Sequence, residues 1–192
     1  MRGKVTCRLA LALSALLAST LLLTCGCGSK ALQYAREARS SYISARAVLV
    51  GLKEFPSRME ELLKEGDQAA LSEEAEALVE EARRLASAAA SAFGTVEEKC
   101  GPLAAEGQGD LASYGEKMSE LVDLNLKVIN AYGELVNYCE TALQGLPFTG
   151  NPEELASLLE GMDGAARKIR ELSDQVAAQE EEAESMYRRA VE

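Results

Sequence analysis

Apolar residues recur at alternating steps of three and four through most of the chain beyond residue 30, and this beat limits the fold more than any other feature. The first stretch keeps it with Ala31, Ala35, Ala38, Tyr42, Ala45, Leu49, Leu52, Pro56, Met59 and Leu63. The second runs Leu71, Ala75, Leu78, Ala82, Leu85, Ala89, Ala92 and Val96. The third runs Leu111, Gly115, Met118, Val122, Asn125, Ile129, Tyr132, Val136, Cys139 and Leu143, with a second row at Leu121, Val128 and Leu135. The fourth passes from Leu155 through Ile169, Val176 and Ala183 to Ala190. A mean step of 3.5 residues keeps one seam of a helix facing its neighbours, which is the condition for coiled-coil-like packing. Ala, Leu and Glu dominate, Trp is absent and aromatics are only 5%, a composition that favours helix.

Turn signals cut the pattern into four. Gly66-Asp67 ends the first segment, Gly101-Pro102 with Gly107 and Gly109 ends the second, and Gly145 to Asn151 ends the third. The expected helices cover about 30–65, 68–99, 110–144 and 152–191. Asn151-Pro152-Glu153-Glu154 supplies an N-cap, a proline at the first helical position and an acid that can bond back to the cap. Pro56 lacks the amide proton of a helix interior, so a kink or short break is expected near Glu54 to Ser57. Breaks so rich in Gly and Pro exclude one long rod. The expected fold is all-α, an elongated up-down-up-down antiparallel four-helix bundle formed by residues 31–192.

Ahead of this domain, Arg2, Lys4 and Arg8 precede an apolar run from Leu9 to Leu23 that is interrupted by Ser14, Ser19 and Thr20. Such a run falls short of the ~20 apolar residues of a membrane-spanning helix and has the layout of a cleaved secretory signal. Thr24-Cys25-Gly26-Cys27 follows it, and a cysteine at this place resembles the lipobox of bacterial lipoproteins. That resemblance covers about residues 1–28 and carries no family for the helical domain. It implies a signal peptide over residues 1–26, diacylation of Cys27 with Cys25 as the alternative, and a lipidated tether over 27–30. It further implies a membrane-anchored protein of the bacterial cell envelope that faces the extracytoplasmic space.

Loss of residues 1–26 would leave 17 basic against 31 acidic side chains, a net charge of −14. An acidic surface repels nucleic acid and anionic lipid, so nucleic acid is excluded as a partner and membrane contact is expected through the acyl chains alone.

Few residues offer chemistry. A Cys-x-Cys metal clip at Cys25 and Cys27 would need two further soft ligands, yet His is absent and only Cys7, Cys100 and Cys139 remain. Inward Glu-x-x-His pairs of the di-iron type cannot be built without His, and the acidic runs read as solvated helix faces. No metal, cofactor or catalytic residue is expected, and the chain is not expected to be an enzyme. Cys100 and Cys139 would lie far apart along the bundle, so both are expected unpaired, Cys139 buried and Cys100 near a loop. Glu180 or Gln179 falls on the seam, an indication of loose packing there.

Asn125 interrupts the apolar seam of the third helix. A single polar residue at such a place fixes register; alternatively, with Tyr132, Tyr42 and Met118 it lines a small core pocket that recognises a ligand. In the loop between the last two helices, Leu146 and Phe148 either fold back over the core or contact a partner. Two functions follow. The first is a non-enzymatic helical interaction or scaffold module that engages another envelope protein. The second is an extracytoplasmic sensor or binder of a small apolar or amphipathic ligand within the bundle.

Overall fold

Heptad spacing turns into helix wherever the computed structural model describes the chain, which is over residues 30–65, 68–144 and 152–191, without the side chains of 63–72. Helix α1 covers residues 30–53, α2 Phe55–Glu65, α3 Gln68–Glu106, α4 Asp110–Gln144 and α5 Pro152–Val191. Among the described residues there is no strand, and no helix is long and apolar enough to cross a membrane. The signal segment with Cys25 and Cys27, and the loop with Leu146 and Phe148, lie outside the described residues.

The expected break in the first rod falls at Glu54, so α1 and α2 are two helices. Pro56 stands in the first turn of α2, where its missing N–H would have had no helical partner in any case. Arg58 N–H still reaches the Glu54 carbonyl at 3.1 Å. The break also displaces one seam position, between Leu52 and Met59, which are buried as expected. Phe55, only 1% exposed, fills the place expected for Pro56.

Helix α3 differs from expectation at its far end. It passes through Gly101-Pro102 and ends at Glu106 instead of at residue 99. Pro102 removes one backbone hydrogen bond, but continuing the helix buries Cys100 and Leu103 completely, which offsets that loss. The turn is made just beyond. Gly107 N–H bonds the Leu103 carbonyl at 2.9 Å, and Gly109 adopts a φ of 57°, the left-handed conformation that glycine takes without strain. Gly115 then lets α4 lie against α3, since a Cβ there would sit 2.7 Å from the Ala104 nitrogen.

The seam of α3 is buried as expected at Ala75, Leu78, Ala82, Ala89 and Val96, and departs from expectation at one position. Phe93, fully buried, occupies the place expected for Ala92, and its ring meets Tyr42 edge-on with centroids 5.8 Å apart. Leu85 is only partly buried, its methyl groups lying over Gly51.

Cross-helix contacts set the order of packing. Between α3 and α4, Arg83 pairs with Glu140 and Glu97 with Ser119. Between α1 and α3, Glu37 pairs with Lys99 and Tyr42 with Phe93. Between α4 and α5, Glu134 pairs with Lys168 and Lys117 with Glu182. Between α5 and α1, Glu184 pairs with Arg39 and Glu180 with Arg46. Residue numbers rise along one helix of each pair as they fall along the other. Helix α4 is the most enclosed, with both of its apolar rows buried between Gly115 and Cys139, whereas the 40 residues of α5 bury only Ala165, Ile169, Val176 and Ala183. Much of the hold on α5 is therefore polar.

Cys100 and Cys139 are both free and both buried. Cys100 lies beside Ser119, and Cys139 is twenty residues further along α4, about 30 Å at 1.5 Å per residue. Cys100 is inside α3 and not near a loop. Burial, then the negative charge of Glu97, pushes the Cys100 thiol up to about 12, and burial pushes Cys139 up to about 11. Both are therefore protonated at neutral pH and poor nucleophiles. Peptide mass mapping after treatment with a thiol reagent is expected to find both unmodified in the folded chain and both modified in denaturant without reductant. Rapid labelling of either one in the folded state would contradict this burial.

Candidate functional site

Asn125 is the one buried polar residue among the described residues, and it is fully enclosed. A buried amide is tolerated when its donors and acceptor all find partners, and each of these does. Its Nδ2 donates to Tyr42 Oη at 3.0 Å and to the Leu121 carbonyl at 2.8 Å. Its Oδ1 accepts from Arg46 Nη1 at 3.3 Å. Tyr42 in turn donates to Glu180 Oε1 at 2.8 Å, and the Arg46 guanidinium grips the same carboxylate, with Nε 2.7 Å from Oε1 and Nη2 3.3 Å from Oε2. Four side chains from α1, α4 and α5 thus close one network. Burial first, then the Glu180 carboxylate, pushes the Tyr42 hydroxyl well above its ordinary value, so it stays a donor at any physiological pH.

The seam carboxylate is accordingly not a sign of loose packing. Glu180 is half-buried and engaged by two residues of α1, and Ala183 one turn on is buried. One turn further toward the C-terminus of α5 a second clasp repeats the arrangement. Arg39 donates through Nε and Nη2 to the two Glu184 oxygens at 3.0 and 3.2 Å, its guanidinium carbon lies 5.0 Å from the centre of the Tyr187 ring, and that ring packs on Tyr114.

Between the two clasps lies a shallow cleft of about 210 Å³. Tyr42, Ile43, Tyr114, Met118 and Leu121 give it apolar walls, and Arg39, Glu180 and Glu184 edge it. The four residues expected to form a core pocket therefore divide. Tyr42 and Met118 line the cleft, and Asn125 stands behind it with its hydrogen bonds taken. Tyr132 is buried seven residues further along α4, about 10 Å away on the helix axis, and takes no part. Arg46 and Glu180 were not expected at this site. Arg46 lies on no apolar row, and Glu180 stood out only as an acid on the seam; each reaches the site with a long side chain.

The second clasp gives the fold a dependence on acid. The hydrogen bond from Arg39, aided by Arg188, holds the Glu184 carboxyl below its ordinary value of 4.5. A group depressed in this way contributes stability above its unfolded value and loses it as pH falls through the folded one. The melting temperature is expected to drop as pH falls below about 4.5, and Glu184→Gln is expected to flatten part of that slope. Both partners are well exposed, so the effect is small and weakens with salt. An unaltered slope in Glu184→Gln would remove the clasp from the balance.

Comparison with protein-family models, with curated proteins and with solved structures finds no match to this chain.

Proposed function

We propose that this chain is a bacterial envelope lipoprotein whose helical part is a non-enzymatic interaction or scaffold module. In this reading residues 1–26 are a cleaved signal peptide, Cys27 carries the acyl chains with Cys25 as the alternative, and residues 27–30 tether the fold to the membrane. The mature part is an elongated up-down-up-down four-helix bundle. Support for that topology comes from the neighbouring pairs in which residue numbers run in opposite senses along the two helices. The observation that carries the scaffold reading is the Asn125 amide, whose hydrogen bonds all go to the protein's own groups, as a residue that fixes register requires. Leu146 and Phe148 are the proposed contacts to another envelope protein.

Metabolic labelling with an alkynyl palmitate in a bacterial host tests the anchor. The wild-type chain is expected to be marked and to fractionate with membranes, and Cys27→Ala to be unmarked. Labelling that persists in Cys27→Ala and disappears in Cys25→Ala would move the site by two residues, and an unmarked wild-type chain would end the proposal.

The cleft beside Tyr42 and Met118 favours a second reading, an extracytoplasmic binder of a small apolar or amphipathic ligand. N-phenyl-1-naphthylamine discriminates the two. Fluorescence enhancement abolished by Met118→Trp, with the fold intact by circular dichroism, would support the binder, whereas no enhancement at all would leave the scaffold.

A further inference from the structure

The outward face of α1 carries a second heptad row that no described residue covers. Between Glu37 and Lys53 the most exposed residues of α1 are uncharged, namely Ser40, Ile43, Ser44, Ala47 and Val50. Ile43 and Val50 are 55% and 54% exposed, which is unusual for β-branched apolar residues one heptad apart. The flanking charges are already committed within the molecule, Glu37 to Lys99, Arg39 to Glu184 and Arg46 to Glu180. On a chain with 31 acidic and 20 basic residues this strip is a neutral window.

The order of residues along the strip indicates what fits it. Arg36, Ser40, Ile43, Ala47, Val50 and Glu54 follow one another at steps of four, three, four, three and four, the spacing of a coiled-coil seam. The row is also complementary to its own reverse. Laid antiparallel about residue 45, Arg36 meets Glu54, Ser40 meets Val50, and Ile43 meets Ala47. Each larger residue faces a smaller one, and opposite charges meet at both ends. Arg36 and Glu54 are exposed, and among the described residues neither has an ion-pair partner.

We propose that this face is a twofold self-association surface, on which α1 of a second copy lies antiparallel. Self-complementarity under reversal is what an isologous contact requires and what an unrelated partner does not. Two acidic copies also repel each other least where the one unpaired acid of the face, Glu54, meets the unpaired Arg36 of the other copy. Ser40 and Ala47 allow the helix axes to approach toward about 8 Å over roughly 27 Å of length. A contact one helix wide is small, so the dimer is weak and exchanging.

Sedimentation velocity of the full chain in density-matched detergent, from about 10 to 300 µM, tests this. The wild-type chain is expected to pass from monomer to dimer within that range. Ala47→Glu puts a carboxylate at an exposed site that helix tolerates, and is expected to weaken the dimer at least tenfold with an unchanged circular dichroism spectrum. Arg36→Glu and Glu54→Arg each bring like charges together and are expected to stay monomeric alone. An equimolar mixture of the two is expected to form a heterodimer, because every end then faces its opposite. A wild-type chain monomeric throughout the range, a dimer indifferent to Ala47→Glu, or a mixture that fails to associate would overturn the proposal.

Discussion

Phe93→Ala is expected to lower the free energy of unfolding by about 3–5 kcal/mol, the range for removing a fully buried aromatic ring. Phe93 has no exposed surface and stands in a part of α3 whose other seam residue, Ala89, is too small to move into the gap. The lost ring also leaves Tyr42 without its edge-on neighbour, and Tyr42 is the residue that joins Asn125 to Glu180. Damage at Phe93 is therefore expected to spread to the polar network. Ala92→Ser is the control, because Ala92 is only partly buried and should change stability by less than about 0.5 kcal/mol. Urea unfolding followed by circular dichroism measures both. A large loss in the serine variant with a small one at Phe93 would mean that Ala92, and not Phe93, faces the core at this turn of α3.

The alanines around Phe93 explain why one helix was harder to read than another. In α4 every seam residue from Met118 to Cys139 is bulky or polar enough to mark its position, and all are buried as the spacing predicts. In α3 the run Ala88-Ala89-Ala90-Ser91-Ala92 offers a small residue at every phase, so periodicity alone cannot decide which face turns inward. The single large residue, Phe93, decides it by the area it buries. Pro102 misled for a different reason. Proline weakens a helix by about 3 kcal/mol on propensity, yet the burial of Cys100 and Leu103 on either side outweighs this, a tertiary effect that no local signal carries.

The polar site was legible only in part. Asn125 announces itself as a break in an apolar row, and Tyr42 lies on the facing seam. Arg46 and Glu180 belong to helices far apart in sequence, and they join the site through the charged ends of long side chains. Sequence spacing places backbones on faces, and it does not say how far a long side chain leans. The same limit hid the Arg39 to Glu184 clasp, which looks in the sequence like two ordinary surface charges.

Arg46 is where the network can be broken most sharply. Arg46→Met keeps the length and the helix propensity but removes the partner of a carboxylate whose side chain is only 31% exposed, and it strips Asn125 Oδ1 of its donor at a site water does not reach. Two groups are left wanting, so the expected loss is about 2–4 kcal/mol. Asn125→Leu alone is expected to cost little, because it removes donors and acceptor together, Tyr42 keeps Glu180, and an apolar residue suits the seam. The informative variant is the double one. Once Asn125 has become Leu, removal of Arg46 no longer orphans a buried oxygen, so Arg46→Met should cost about 1–2 kcal/mol less in that background. Additive losses in the thermodynamic cycle would show that Arg46 and Asn125 do not act on each other, and the four side chains would then be neighbours without forming a network.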